Sequence, residues 1–143
     1  VILSALLFGP VDAILVGGLG ELINQMLTFG FPPTTILWMA PAMIRGLSMG
    51  LGARLAPRFL GLEALLEKKV PVAFWALCII AGLVCSLVNT FTLYVDSKMF
   101  GYYSYAMVFG ALWVRLGTSA ISSVVMSVVA KPLTLAMRKA RVI

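Results

Sequence analysis

Long apolar runs, separated by short breaks rich in proline, glycine or charge, make up nearly the whole sequence. Four of the runs approach or exceed the roughly 20 residues that an α-helix needs to cross a bilayer. A shorter run at the start reads as the end of a helix whose beginning lies upstream. The pattern predicts an all-α, polytopic integral membrane helical bundle, with spans at about 1–8 (partial), 11–27, 34–56, 70–95 and 104–130.

The breaks carry the residues that end or bend helices. Pro32-Pro33 forbids helix continuation between the second and third spans. Pro41 predicts a kink inside the third span, and Lys131-Pro132 marks the predicted end of the fifth. The remaining predicted connections are Gly9-Pro10, a charged segment at 57–69 with a short interfacial helix, and a loop at 96–103.

Composition agrees with this pattern. Of 143 residues, 62% are hydrophobic and 11% are charged, and the mean hydropathy is +1.06. Soluble domains are closer to half apolar and a quarter charged, so the chain is predicted to be one transmembrane domain over residues 1–143. The net charge of +6 does not indicate nucleic-acid binding, because the basic residues lie mostly at span ends, where they set topology.

The distribution of basic residues predicts an orientation. One cluster follows the third span and another follows the fifth, so both lie on the same side of the membrane. By the positive-inside rule that side is cytoplasmic, which places the C-terminus in the cytoplasm and the connections at 28–33 and 96–103 outside. One further span upstream then gives six in a longer protein. The clusters are Arg54, Arg58, Lys68 and Lys69, and Lys131, Arg138, Lys139 and Arg141.

Polar residues within the spans are the first candidates for function, because ionisable groups at membrane depth are costly. Arg45 and Arg115 each lie eleven residues, or roughly 16 Å, into their predicted spans. Glu21 is the one acidic residue at comparable depth. A structural ion pair between Glu21 and an arginine is one interpretation. The other is a pocket for a carboxylate, because two arginines against one glutamate leave a positive charge unpaired. The polar set is completed by Asn24, Gln25 and Asn89.

Aromatic residues cluster near the predicted outer ends of the spans. Trp38, Tyr102 and Tyr103 are each typical of interfacial anchors, and beside a polar pocket they are also candidates for stacking on a ligand. The predicted substrate-binding set is therefore Glu21, Asn24, Gln25, Trp38, Arg45, Asn89, Tyr102, Tyr103 and Arg115.

Small residues recur every four positions at Ala42, Gly46 and Gly50. Such a face lets helices approach closely, either within this chain or against another membrane subunit, and the sequence does not separate the two. Cys78 and Cys85 are spaced about two helical turns apart, too far for a disulfide, and are predicted to be small buried side chains. With no histidine and no CxxC motif, no metal site is predicted.

The run SALLFGPVDAILVGGLGELINQML resembles the substrate-binding (S) components of energy-coupling factor (ECF) vitamin transporters. The resemblance rests on a helix that ends in the LxFGP pattern at Leu6 to Pro10, followed by the Gly-rich helix segment 17–20 with its acidic Glu21. A short loop with proline, glycine and aromatic residues at 29–33 comes next. The basic connection and the basic C-terminus extend the likeness over most of the chain.

The resemblance implies a compact six-helix bundle, of which the first helix is absent here. It implies capture of a micronutrient near the outer face and docking onto a transmembrane coupling (T) subunit with two ABC-type ATPases. ATP would be hydrolysed by those partners, because the chain has no GxxxxGK[ST] motif and needs no cofactor of its own. The arginine surplus favours an anionic vitamin such as pantothenate or a folate. The resemblance implies the plasma membrane of a prokaryote as its location.

Two other function classes remain as alternatives. A small membrane enzyme would need several acid, base or metal-binding groups at one depth. This chain has no histidine and only Glu21 as an acid at depth, so an enzyme is disfavoured. A structural or assembly subunit would use the glycine-rich faces without binding a small molecule.

Overall fold

The fold was examined in a computed structural model that describes residues 1–31, 33–55 and 72–139. These residues form helices and no strand, so the predicted all-α class is confirmed. The interfacial helix predicted within 57–69 lies outside the described residues. The helices are α1 (Ile2–Leu7), α2 (Pro10–Phe29), α3 (Thr35–Leu55), α4 (Val72–Met99) and α5 (Leu112–Lys139), with a π-helical turn (Ala106–Gly110) before α5.

Three described segments are long and apolar enough to cross a membrane, and they indicate a membrane protein. They are Thr35–Leu55, Val72–Met99 and Ala106–Met137. The predicted span at 11–27 is helical, as α2, and is not among these three segments. It contains the polar residues Asp12, Glu21, Asn24 and Gln25. Large apolar side chains on α2 are nevertheless exposed, among them Leu15, Leu19 and Ile23.

α2 and α3 form an antiparallel hairpin in which the backbones touch. Gly17 faces the backbone of Ala42, Gly46 faces the carbonyl of Ala13, and Gly50 faces Pro10. A methyl group at any of these glycines would overlap the opposite helix. The small-residue face of α3 therefore packs within this chain, against α2, which resolves the choice that the sequence left open. Since Glu21 follows Gly17 by one turn and Arg45 precedes Gly46, this close packing sets where both charged side chains project.

α4 and α5 complete the bundle, with α4 packed between α3 and α5. Ser119 of α5 donates a hydrogen bond to the backbone oxygen of Gly82 on α4, at 2.7 Å. The core below this contact is built from Met49, Phe74 and Cys78, all of them buried. Cys78 is buried, as predicted, whereas Cys85 is only partly buried. Both are free thiols.

The predicted loop at 96–103 is wrong in its first part, because α4 continues to Met99. Gly101 has a φ of 75°, a left-handed conformation that glycine adopts without strain. The amide of Tyr102 donates to the carbonyl of Ser97 at 3.1 Å, so the chain reverses in a Schellman motif after the last helical residue. Asp96 therefore lies on the last turn of a helix and not in a loop.

The predicted helix end at Lys131-Pro132 is also wrong, since α5 runs on to Lys139 with Pro132 inside it. Pro132 removes one backbone donor from the helix. Further along the same helix, the hydroxyl of Thr134 donates to the carbonyl of Ala130 at 2.8 Å. α3 likewise continues through Pro41, which is buried.

Candidate functional site

A cavity of about 690 Å³ lies between α2, α3, α4 and α5. We refer to it as the central cavity. It contains most of the polar groups that the sequence places at membrane depth. From the predicted set, it is lined by Glu21 of α2, Trp38 and Arg45 of α3, Asn89 of α4 and Arg115 of α5.

Arg45 is the one guanidinium in this cavity that forms no hydrogen bond or ion pair with the described residues. Its side chain is half-buried, between the buried residues Pro41 and Met49 of the same helix face. Most of the cavity lining is apolar around it. A cation in such surroundings is costly without an anionic partner, so Arg45 carries the charge surplus inferred from the sequence.

Glu21 is held by two amide side chains of its own helix. Gln25 donates to its carboxylate at 2.8 Å, and Asn24 donates to the same oxygen at 3.4 Å. Within the described parts of the chain Glu21 makes no ion pair. The structural ion pair with Arg45 or Arg115, one of the two interpretations of the sequence, is therefore not formed. Glu21 and Arg45 instead place opposite charges in the wall of one cavity.

Arg115 has a structural role in addition to its place in the cavity wall. Its guanidinium donates to the carbonyl oxygens of Val108 and Met107, at 3.1 Å each. These carbonyls belong to the π-helical turn Ala106–Gly110, which is separated from α5 by Ala111. The regular helical hydrogen bonds are interrupted at Ala111. Arg115, in the first turn of α5, supplies side-chain donors to carbonyls of the π-helical turn before it.

Replacing Arg115 with alanine is therefore expected to loosen the π-helical turn. Two charge-assisted hydrogen bonds are lost, which lowers the free energy of unfolding by about 1–3 kcal/mol. The measurement is amide hydrogen exchange, in which Met107 to Gly110 should exchange faster than in the native protein. Arg54→Ala, an exposed arginine near the end of α3, is the control. Unchanged exchange in the Arg115→Ala protein would show that the two bonds do not hold this turn.

A second cavity, of about 480 Å³, opens at the end of the bundle where α2 passes into α3. We refer to it as the turn-end cavity. Gln25 and Tyr102 of the predicted set line it, and Trp38 borders both cavities. The hydroxyl of Tyr102 donates to Asp96. This bond to a carboxylate raises the pKa of Tyr102 to about 12, so the bond persists below pH 10 and is lost as the pH rises through 12.

Asn24 and Tyr103 line neither of these cavities. Asn24 is exposed on α2, where its side-chain amide donates a hydrogen bond to Glu21. Tyr103 packs edge-on against Tyr94, with ring centroids 5.5 Å apart. The ammonium of Lys98 lies 4.1 Å from the centre of the Tyr103 ring. Asn24 therefore contacts a residue of the central cavity wall without lining the cavity itself, whereas the contacts of Tyr103 are with residues outside both cavities.

The sequence interpretation missed the hydroxyl groups of the central cavity and the carboxylate of the turn-end cavity. Thr118, Ser119 and Ser122 lie on one face of α5, a helical spacing that was visible in the sequence. The hydroxyl of Ser119 donates to a backbone carbonyl of α4, and the hydroxyl of Thr118 donates to a backbone carbonyl of α5. Asp96 was assigned to a loop, so its burial at the end of α4 was not expected.

The comparisons with known proteins add no family to this description. No family model, no curated protein and no solved structure matches the chain. The functional argument therefore rests on the residues and geometry above.

Proposed function

We propose that this chain is the substrate-capture subunit of an ECF-type importer and binds a small anionic vitamin, such as pantothenate or a folate, in the central cavity. The observation that carries the proposal is Arg45, whose guanidinium borders a 690 Å³ cavity without a partner among the described residues. Pockets for small molecules commonly enclose about 300–1,000 Å³ and combine apolar walls with a few polar groups. The central cavity has this size and this composition.

The polar groups of the cavity suit a carboxylate with hydroxyl or amide groups attached. Arg45 offers two parallel N–H donors, the geometry that binds a carboxylate in bidentate fashion. Asn89 and Ser122 supply further polar contacts from α4 and α5, and Trp38 supplies a flat apolar wall. Glu21 repels a second negative charge, so the ligand we propose presents one carboxylate to Arg45 and neutral polar groups to the α2 side, which favours pantothenate, with one carboxylate, over a folate, with two.

The proposed transport step needs partners. The resemblance to S components at Leu6 to Pro10 and at Gly17 to Glu21 supports docking onto a transmembrane coupling subunit and two ABC-type ATPases, which hydrolyse ATP. The chain would lie in the plasma membrane of a prokaryote, surrounded by lipid, with its C-terminus in the cytoplasm. In this orientation the turn-end cavity opens to the outside, above the central cavity.

A thermal-shift titration of the purified protein against a panel of vitamins tests the proposal. A ligand that binds the native state raises its stability by RT ln(1 + [L]/Kd), so tight binding gives a large shift in melting temperature. Pantothenate and folate should each be compared with an analogue that lacks the carboxylate; for pantothenate this is panthenol, in which an alcohol replaces it. Stabilisation by a carboxylate vitamin and not by its neutral analogue supports the proposal. A folded protein that no vitamin stabilises supports the structural-subunit alternative.

A further inference from the structure

The turn-end cavity differs in chemistry from the central cavity. Its walls are largely aromatic, and its one formal charge among the described residues is negative. The carboxylate of Asp96 supplies that charge. The aromatic side chains are Phe29, Trp38, Phe100 and Tyr102.

Asp96 is buried, with 7% of its surface exposed, and one of its two oxygens lacks a partner. Oδ2 accepts the hydroxyl of Tyr102, whereas Oδ1 has no hydrogen-bond partner among the described residues. The nearest cation along the chain, Lys98, lies over the ring of Tyr103 instead and makes no ion pair with Asp96. A buried carboxylate with an unused acceptor is costly, and a positively charged donor offsets that cost.

The aromatic walls of the turn-end cavity favour an organic cation over a metal ion. Ring faces attract organic ammonium groups, and the attraction strengthens when the cation is removed from water. A metal ion would need several oxygen, nitrogen or sulfur ligands, and the described residues contain no cluster of histidine, cysteine or acidic side chains that could hold one. A volume of about 480 Å³ has room for an alkylammonium group together with its chain.

We propose that the turn-end cavity is a binding site for an organic ammonium group. The ammonium donates a hydrogen bond to Oδ1 of Asp96, and its alkyl chain packs against Trp38 and Phe100. This site is distinct from the proposed anion site at Arg45, and it does not rest on the proposed vitamin or on the importer assignment. Trp38 lines the turn-end cavity, so its fluorescence responds to a ligand bound there; because it also borders the central cavity, the Asp96→Asn and Arg45→Ala variants assign the signal to one cavity.

The experiment is a tryptophan-fluorescence titration of the purified full chain with n-butylammonium chloride, with n-butanol as the uncharged probe of similar shape. We expect saturable binding of n-butylammonium and at least tenfold weaker binding of n-butanol. Asp96→Asn should weaken n-butylammonium binding about tenfold or more, because it removes the charge and the strong acceptor. Asp12→Asn is the matched control, since Asp12 is an exposed acid at the opposite end of α2. It should leave the affinity unchanged.

A second variant keeps the test decisive if Asp96→Asn does not fold. Phe100 is 52% exposed in the turn after α4, so Phe100→Ala should spare the fold. It should weaken n-butylammonium binding about threefold by removing one aromatic face. Arg45→Ala should leave n-butylammonium binding intact, which separates failure of this proposal from failure of the proposed anion site. Equal binding of the two probes, or affinity unchanged in both Asp96→Asn and Phe100→Ala, would overturn the proposal.

Discussion

Replacing Arg45 with alanine is expected to weaken the binding of a carboxylate vitamin by about 100-fold. A charge-assisted bidentate contact in a largely apolar cavity contributes roughly 2–3 kcal/mol, and each 1.4 kcal/mol is a tenfold change in Kd. The loss should appear chiefly as faster dissociation, because the variant changes a contact made only after the ligand has entered. The affinity of Arg45→Lys should lie between those of the native protein and Arg45→Ala, because lysine keeps the positive charge but lacks the planar guanidinium.

The affinity is measured by calorimetry or tryptophan fluorescence with the vitamin that the panel identifies. Arg54→Ala is the matched control, because it removes the same side chain from the same helix, about two and a half turns nearer its C-terminal end. Its Kd should stay within twofold of the native value. If Arg45→Ala binds the vitamin as tightly as the native protein, the guanidinium is not the anion site.

Replacing Gly46 with alanine is expected to destabilise the α2–α3 hairpin strongly. The new Cβ would overlap the carbonyl of Ala13, which is backbone and therefore cannot rotate away. The helices must separate, and overpacking of this kind costs about 1–3 kcal/mol or more. Because Arg45 is the neighbouring residue, the same separation should also reduce ligand affinity.

The melting temperature in detergent measures the effect of Gly46→Ala. Gly20→Ala is the control, since a Cβ at Gly20 meets nothing within 4 Å and alanine favours helix over glycine by up to about 1 kcal/mol. Gly20→Ala should melt at or slightly above the native temperature, and Gly46→Ala several degrees below it. Equal melting temperatures for the two variants would mean that the hairpin tolerates separation.

The positions of the helices followed from the sequence because long apolar runs and prolines are strong signals. The helix ends were harder to predict. At 96–103 the charged and polar side chains suggested a loop, whereas Gly101 ends the helix and Asp96 is buried on its last turn. At Pro132 the proline suggested an end, but α5 continues through it to Lys139.

The candidate site was partly accessible to the same reasoning. Depth along each span predicted that Glu21, Arg45 and Arg115 would lie near one another, and all three line the central cavity. Their partners were not predictable, because pairing depends on helix rotation. The guanidinium of Arg115 donates to backbone carbonyls, and counting charged residues in the sequence could not predict these partners. Whether any of these residues binds a vitamin remains a prediction for the experiments above.

The π-helical turn before α5 has a consequence for how this site can vary. A turn with i→i+5 bonding accommodates one residue more than an α-helical turn, so the residues on its two sides are out of phase by about 100°. Tyr105, which precedes the turn and packs against Phe109 within it, is thus offset in angle from the polar face of α5. Because Arg115 lies in the wall of the central cavity and donates to two carbonyls of this turn, a substitution that reshapes the turn is expected to move that wall as well.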